Sequence, residues 1–163
     1  MPLLSRYLER RGLRSQAREA IERGEGPEFF LQHPQISART QAGYYFEWAS
    51  QRSDSLYGRQ MPLVPWDRSE ASQREWARVL DAAEHAIEQF RKAEDFSKAG
   101  DVTAFFSSAA VFQGVGEEYF ARNPGVSQTR EGWTFFHCAR EMRDLEEPNL
   151  KLMMEFAQMA YAL

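Results

Sequence analysis

Apolar residues recur along most of the chain at intervals of three and four residues, the spacing that places them on one face of an α-helix. No run of four or more residues alternates apolar and polar side chains with the β-branched enrichment typical of a strand. The pattern predicts helices over residues 2–23, 37–54, about 68–99, 102–111, 127–144 and 149–163, with a short helical turn before Pro34 and before Pro124. We therefore predict an all-α helical bundle of about six to eight helices, folded as a single domain over residues 1–163.

Polar residues and prolines mark the predicted helix ends. Asp67, with Glu70 three residues later, resembles a capping box that opens the long fourth segment, and Gly100 is placed as the residue that ends it. Asp101 would then cap the next helix, and Pro148 suits the first turn of the last one.

Residues 20–54 and 110–144 align without a gap at an offset of 90, with ten identities in 35 positions. Ordinary composition would give about two. The identical pairs are Ala20/Ala110, Gly24/Gly114, Gly26/Gly116, Glu28/Glu118, Phe30/Phe120, Pro34/Pro124, Ser37/Ser127, Phe46/Phe136, Ala49/Ala139 and Asp54/Asp144. We interpret this as an internal duplication, so the bundle is predicted to consist of two related halves joined by a linker over residues 55–68.

Charge and cysteine content narrow the function classes. Arginines outnumber lysines by 17 to 3, a bias associated with bacterial proteins of high genomic GC content. The single cysteine, Cys138, excludes an intrachain disulfide and predicts a reducing, cytoplasmic location. The net charge of −4 argues against nucleic-acid binding, although Arg6, Arg10, Arg14 and Arg18 form a basic stripe near the N-terminus.

Neither a targeting segment nor a membrane span is expected. The first residues lack an apolar stretch before their arginines, and no uncharged apolar run reaches the length of a bilayer crossing.

The candidate chemical groups each have a simpler structural explanation. The Gly-x-Gly pairs follow predicted helices instead of strands and precede Glu28 and Glu118, which would repel a phosphate, so we interpret them as helix breaks. His137 and Cys138 are adjacent, and neighbouring helical side chains diverge by about 100°, so they cannot form a catalytic pair. His85 and its carboxylate neighbours supply too few ligands for a metal site. We predict no catalytic residue, metal or cofactor.

A ligand pocket is the alternative that the repeat suggests. Glu28 and Glu118 occupy equivalent positions in the two copies, and an aromatic pocket at their junction could use these carboxylates with Tyr44 or His137 to orient a small molecule. The two glutamates could equally interact with helix dipoles in a first turn.

The helices carry more aromatic and apolar side chains than a single core-facing side of each helix can bury. Consecutive aromatics cannot all point inward, and the segment 149–163 has only a narrow polar stripe. We therefore predict a non-catalytic protein–protein interaction protein (an adaptor, inhibitor or immunity-type binder) that forms a homo-oligomer through its C-terminal helix. The candidate interaction residues are Tyr44, Tyr45, Trp48, Trp133, Phe136, Met153, Met154 and Tyr161.

Overall fold

The computed structural model describes the backbone of residues 2–56 and 63–163 and the side chains of residues 11–56 and 63–163. This part of the chain contains eight helices and no strand, which confirms the all-α prediction. The helices are α1 (Pro2–Glu22), α2 (Gly26–Gln32), α3 (Ala38–Leu56), α4 (Glu70–Lys92), α5 (Phe96–Phe112), α6 (Gly116–Arg122), α7 (Gln128–Arg143) and α8 (Leu150–Ala162). None of the described helices combines the length and the apolar character that crossing a bilayer requires.

The boundary between α4 and α5 differs from the prediction. Helix α4 ends at Lys92, and Glu94 adopts a left-handed φ of 56°. Asp95 then opens α5 by accepting a hydrogen bond from the Lys98 amide at 3.2 Å. Because the Asp95 side chain caps α5 at its start, Gly100 lies inside α5 and does not end α4 as predicted.

The N-terminal cap of α4 is also shifted. Ser69 is the cap, and its hydroxyl accepts from the Ser72 amide at 3.3 Å. Asp67 accepts from the Ser69 amide at 2.9 Å, so it supports the cap instead of forming it.

The predicted linker covers residues 55–68. Of these, Ser55 and Leu56 belong to α3, and residues 57–62 lie outside the described part of the chain. Residues 63–68 lie against the bundle, with Pro65 buried and the Trp66 ring 5.5 Å from that of Phe112.

The two aligned segments have matching local conformations. Helices α1 and α5 end 90 residues apart, as do the starts of α2 and α6 and of α3 and α7. Gly24 and Gly114 have φ of 76° and 80°, a left-handed conformation that favours glycine. In both turns the amide after this glycine donates to the carbonyl five residues earlier, Glu25 to Ala20 at 2.8 Å and Val115 to Ala110 at 3.0 Å. His33 and Asn123 then make equivalent contacts with the carbonyls of Phe29 and Tyr119, both at 2.8 Å.

Helices pack mainly on their neighbours along the chain. Helix α1 contacts α2 and α3, α3 packs along α4, α4 along α5, and α5 contacts α6 and α7 before α7 pairs with α8. The largest fully buried side chains are Trp76, Tyr119, Phe106, Phe112 and Phe156. This order places α8 last in the series, paired along α7 and touching α5 where the Phe156 ring meets that of Phe112.

Candidate protein-docking surface

Helices α7 and α8 form an antiparallel hairpin. Ser127 caps α7 by accepting from the Arg130 amide, and Asn149 caps α8 by accepting from the Leu152 amide. A Cβ atom placed on Gly132 would lie 3.9 Å from the Ala160 carbonyl oxygen, so the start of α7 faces the end of α8.

The inner face of α8 packs on the core. Leu152 and Phe156 are buried, and the Phe156 ring meets that of Phe112 edge-on at 5.7 Å. Arg68 lies over the Phe156 ring and pairs with Glu155 at 2.9 Å. Burying a phenylalanine contributes about 1.5–3 kcal/mol, so Phe156 helps to hold α8 against the core.

The outer face of the hairpin is apolar and uncovered. Trp133 is 65% exposed, Met154 52% and Tyr161 94%. The Trp133 and Phe136 rings contact each other edge-on at 5.6 Å. We define the α7–α8 surface as Trp133, Phe136, Leu150, Met154, Ala157, Tyr161 and Leu163, all of which are exposed.

A groove of about 730 Å³ runs between the two helices on this surface. Its lining consists of Gln128, Thr129, Gly132, Trp133, Phe136, Ala157, Ala160, Tyr161 and Leu163. None of these side chains is charged, so whatever binds in the groove must gain most of its affinity from apolar burial.

Comparison with known protein families, with curated proteins and with solved structures finds nothing that matches this chain.

Four of the eight predicted interaction residues lie in this exposed region, and the other four are covered to different extents. Trp133, Phe136, Met154 and Tyr161 are the exposed ones. Tyr45 and Trp48 are buried in the core, and Tyr44 and Met153 are half-buried. The structure thus leaves Tyr45 and Trp48 no surface on which to contact a partner.

The run of three aromatics in α3 is accommodated by three different neighbours. The ring of Tyr44 stacks on Phe30, and that of Tyr45 lies between Phe30 at 5.4 Å and His85 at 5.0 Å. The Phe46 ring contacts that of Phe106 on α5 at 6.3 Å. Because α3 has neighbours on several sides, the expectation of an exposed aromatic there does not hold for Tyr45.

The predicted ligand-orienting residues do not line one cavity. Glu28, Glu118 and His137 are exposed on α2, α6 and α7 respectively. Glu118 lies 3.6 Å from Arg122, and His137 lies 3.6 Å from Glu141, both on their own helices.

A groove of about 380 Å³, to which no sequence motif pointed, lies between α4 and the α5–α6 turn. Glu84 pairs there with Arg122 at 2.7 Å. Burial raises the pKa of the Glu84 carboxyl, and the Arg122 charge opposes that rise. Among the described side chains, no group of three metal-ligating residues gathers here or elsewhere.

Cys138 is a buried thiol on α7, 1% exposed, whose Sγ lies 3.9 Å from the Ser108 carbonyl oxygen. Burial raises its pKa to about 12, which keeps it in the unreactive thiol form. We expect no alkylation by iodoacetamide at pH 8 in the folded protein and full alkylation in denaturant. Mass spectrometry measures both, and rapid labelling of the folded chain would contradict this assignment.

Proposed function

We propose that this chain is a non-catalytic protein–protein interaction protein that binds through the α7–α8 surface. The observation that carries the proposal is the contiguous apolar exposure of one hairpin, from Leu150 at the start of α8 to Tyr161 near its end. Exposed apolar side chains concentrated in this way are typical of interaction sites, whereas scattered ones need no explanation. Aromatic residues such as Trp133 and Tyr161 are also those that contribute most to interface energy.

The chemistry of the surface favours a macromolecule over a small ligand. Two observations favour a small molecule. The groove has a volume within the range of ligand pockets, about 300–1,000 Å³, and three aromatic side chains line it. Leu150 and Met154, however, extend the exposed apolar stripe beyond the groove lining. A small molecule in the groove would leave those two side chains in water.

The test is photo-cross-linking of the full chain in cells of its source organism. A photoreactive residue in place of Tyr161 should give covalent protein adducts, because that side chain would lie inside the interface. The matched control replaces Leu31, an 81% exposed apolar residue on α2, and should give none. Absence of adducts at both Tyr161 and Trp133 would refute the proposal, as would equal adducts at Leu31.

Two further parts of the account are proposals of the same kind. We infer that residues 20–54 and 110–144 arose by duplication, which is supported by their ten identities and their matching helix boundaries and turn dihedrals. A cytoplasmic location in a bacterial cell is supported by the single cysteine and the arginine bias.

A further inference from the structure

A second groove runs between α5 and α7, and we call it the α5–α7 groove. It has a volume of about 380 Å³ and shares Trp133 and Phe136 with the α7–α8 groove. On α5 its lining consists of the short residues Ala104, Ser107 and Ser108. Because these side chains are short, the space between the two helices stays open.

The α7 side of this groove carries positive charge without a matching negative charge. Arg130 and Arg140 line it, and no carboxylate is among its described lining residues. Within the described part of the chain, Arg130 has no ion-pair partner. Arg140 attracts Asp144 from beyond ion-pair distance, and that carboxylate pairs with Arg143 at 2.7 Å. The α5–α7 groove therefore offers two positive charges to a bound anion.

A hydroxyl group and two aromatic rings add to what the groove offers a ligand. Ser108 is half-buried, and its hydroxyl has no hydrogen-bond partner among the described residues. This hydroxyl is available to donate to an anionic oxygen. Trp133 is 65% exposed and Phe136 is 50% exposed. Their uncovered aromatic surface favours a ligand that carries a flat ring.

The aligned segments place a similar groove between α1 and α3, where the chain fills it with an ion pair of its own. That groove has a volume of about 250 Å³. Four of its lining residues precede lining residues of the α5–α7 groove by 90 positions: Arg14/Ala104, Arg18/Ser108, Tyr44/Thr134 and Glu47/His137. Arg14 bridges the two helices by donating from Nε to the Glu47 carboxylate at 3.1 Å.

The α5–α7 groove lacks this internal ion pair. Ala104 and His137 stand at the positions of Arg14 and Glu47, and an alanine cannot bridge the helices. The arginines lie on α7 instead, with no carboxylate opposite them on α5 in the described lining. The space and the counter-charge that the chain supplies to the first groove are therefore left for a ligand in the second.

We propose that the α5–α7 groove binds a small phosphate monoester that carries a flat ring, the chemical class of the nucleoside monophosphates. A phosphate monoester has a charge of about −1.5 to −2 at pH 7, which matches two arginines better than a single carboxylate does. Guanidinium groups also suit phosphate oxygens geometrically, because they donate two parallel hydrogen bonds. The ring lies against Trp133 and Phe136. This binding site goes beyond the proposed function, which concerns the α7–α8 surface.

Titration calorimetry of the full chain with adenosine 5′-monophosphate tests the ligand class. We expect saturable binding of this nucleotide. Adenosine, which lacks the phosphate, and inorganic phosphate, which lacks the ring, should each bind about tenfold more weakly or less. No binding of the nucleotide would overturn the proposal, as would equal binding of inorganic phosphate. Binding of a single-stranded RNA oligomer without binding of the nucleotide would overturn the small-molecule ligand.

Two substitutions on α7 test the charges. Arg130→Gln and Arg140→Gln should each raise the dissociation constant of adenosine 5′-monophosphate about tenfold or more, because each removes a positive charge from the groove. Arg143→Gln is the matched control on the same helix, since Arg143 pairs with Asp144 and does not line the groove. Equal weakening in the control, or full affinity in either groove variant, would contradict the proposed site.

A double substitution tests the location by closing the groove. Ala104→Arg combined with His137→Glu places an arginine and a glutamate where Arg14 and Glu47 pair in the α1–α3 groove. Because it adds one positive and one negative charge, loss of nucleotide binding would come from the filled space. Nucleotide binding that survives in the folded double variant would overturn the location. Circular dichroism verifies folding, and the single arginine variants change only exposed side chains, so they decide the question even if the double variant does not fold.

Discussion

Replacing Phe156 by alanine is expected to lower the free energy of unfolding by about 3–5 kcal/mol. The ring is 1% exposed, lies edge-on to Phe112 and lies beneath the Arg68 guanidinium. Its loss removes buried apolar surface and leaves a cavity between α5 and α8. Urea unfolding followed by circular dichroism, at a protein concentration low enough to keep the chain monomeric, measures the change.

Met154→Ala is the matched control on the same helix. Met154 lies on the opposite, exposed face, so its truncation should change the unfolding free energy by less than about 0.5 kcal/mol. The contrast tests which face of α8 belongs to the core. Similar losses for the two variants would mean that α8 does not pack as described.

Trp76→Ala is expected to lower the free energy of unfolding by a similar amount, about 3–5 kcal/mol. Trp76 is 1% exposed on α4, and its indole N–H donates to the Leu63 carbonyl oxygen at 2.8 Å. The Leu63 amide in turn donates to the Leu56 carbonyl oxygen at 2.9 Å, so the indole holds the end of the linker against α3 and α4.

Trp76→Phe separates packing from hydrogen bonding. The phenyl ring keeps most of the volume but leaves the Leu63 carbonyl without the indole donor. The loss of this hydrogen bond should lower the free energy of unfolding by about 1–3 kcal/mol. The same urea titration measures both variants. If Trp76→Phe costs as much as Trp76→Ala, ring volume is not the main contribution and this account of the site is wrong.

The helices could be predicted from the sequence because local signals determine them. Ser127 caps α7 as its side-chain chemistry predicts, and the apolar periodicity shows which segments are helical. The end of α4 differs from the prediction because the left-handed residue after it is Glu94, whereas this conformation is usually associated with glycine. The pattern therefore predicts the end at Gly100, which lies inside α5. A local signal cannot show that a non-glycine residue accepts this conformation in a tertiary context.

The candidate surface could be predicted only in part. The narrow polar stripe of α8 showed that one neighbouring face could not cover the whole helix, but composition does not distinguish Phe156, which is buried, from Tyr161, which is exposed. In α3, Tyr45 and Trp48 are among the predicted interaction residues because the aromatic side chains exceed what one core face requires. They are buried because α2 and α4 lie on either side of Tyr45, and Glu22 of α1 accepts from the Trp48 indole at 2.6 Å. Which face is covered depends on helix packing, which no local pattern specifies.

Covalent footprinting tests the central claim, that the α7–α8 surface is covered by a protein in the working state. Carbene labelling of Trp133, Met154 and Tyr161 would be compared between the dilute purified chain and the same chain in concentrated extract of its source organism. We predict that labelling of all three falls severalfold in the extract, while labelling of Leu31 stays the same. Unchanged labelling of the three side chains in the extract would contradict the account.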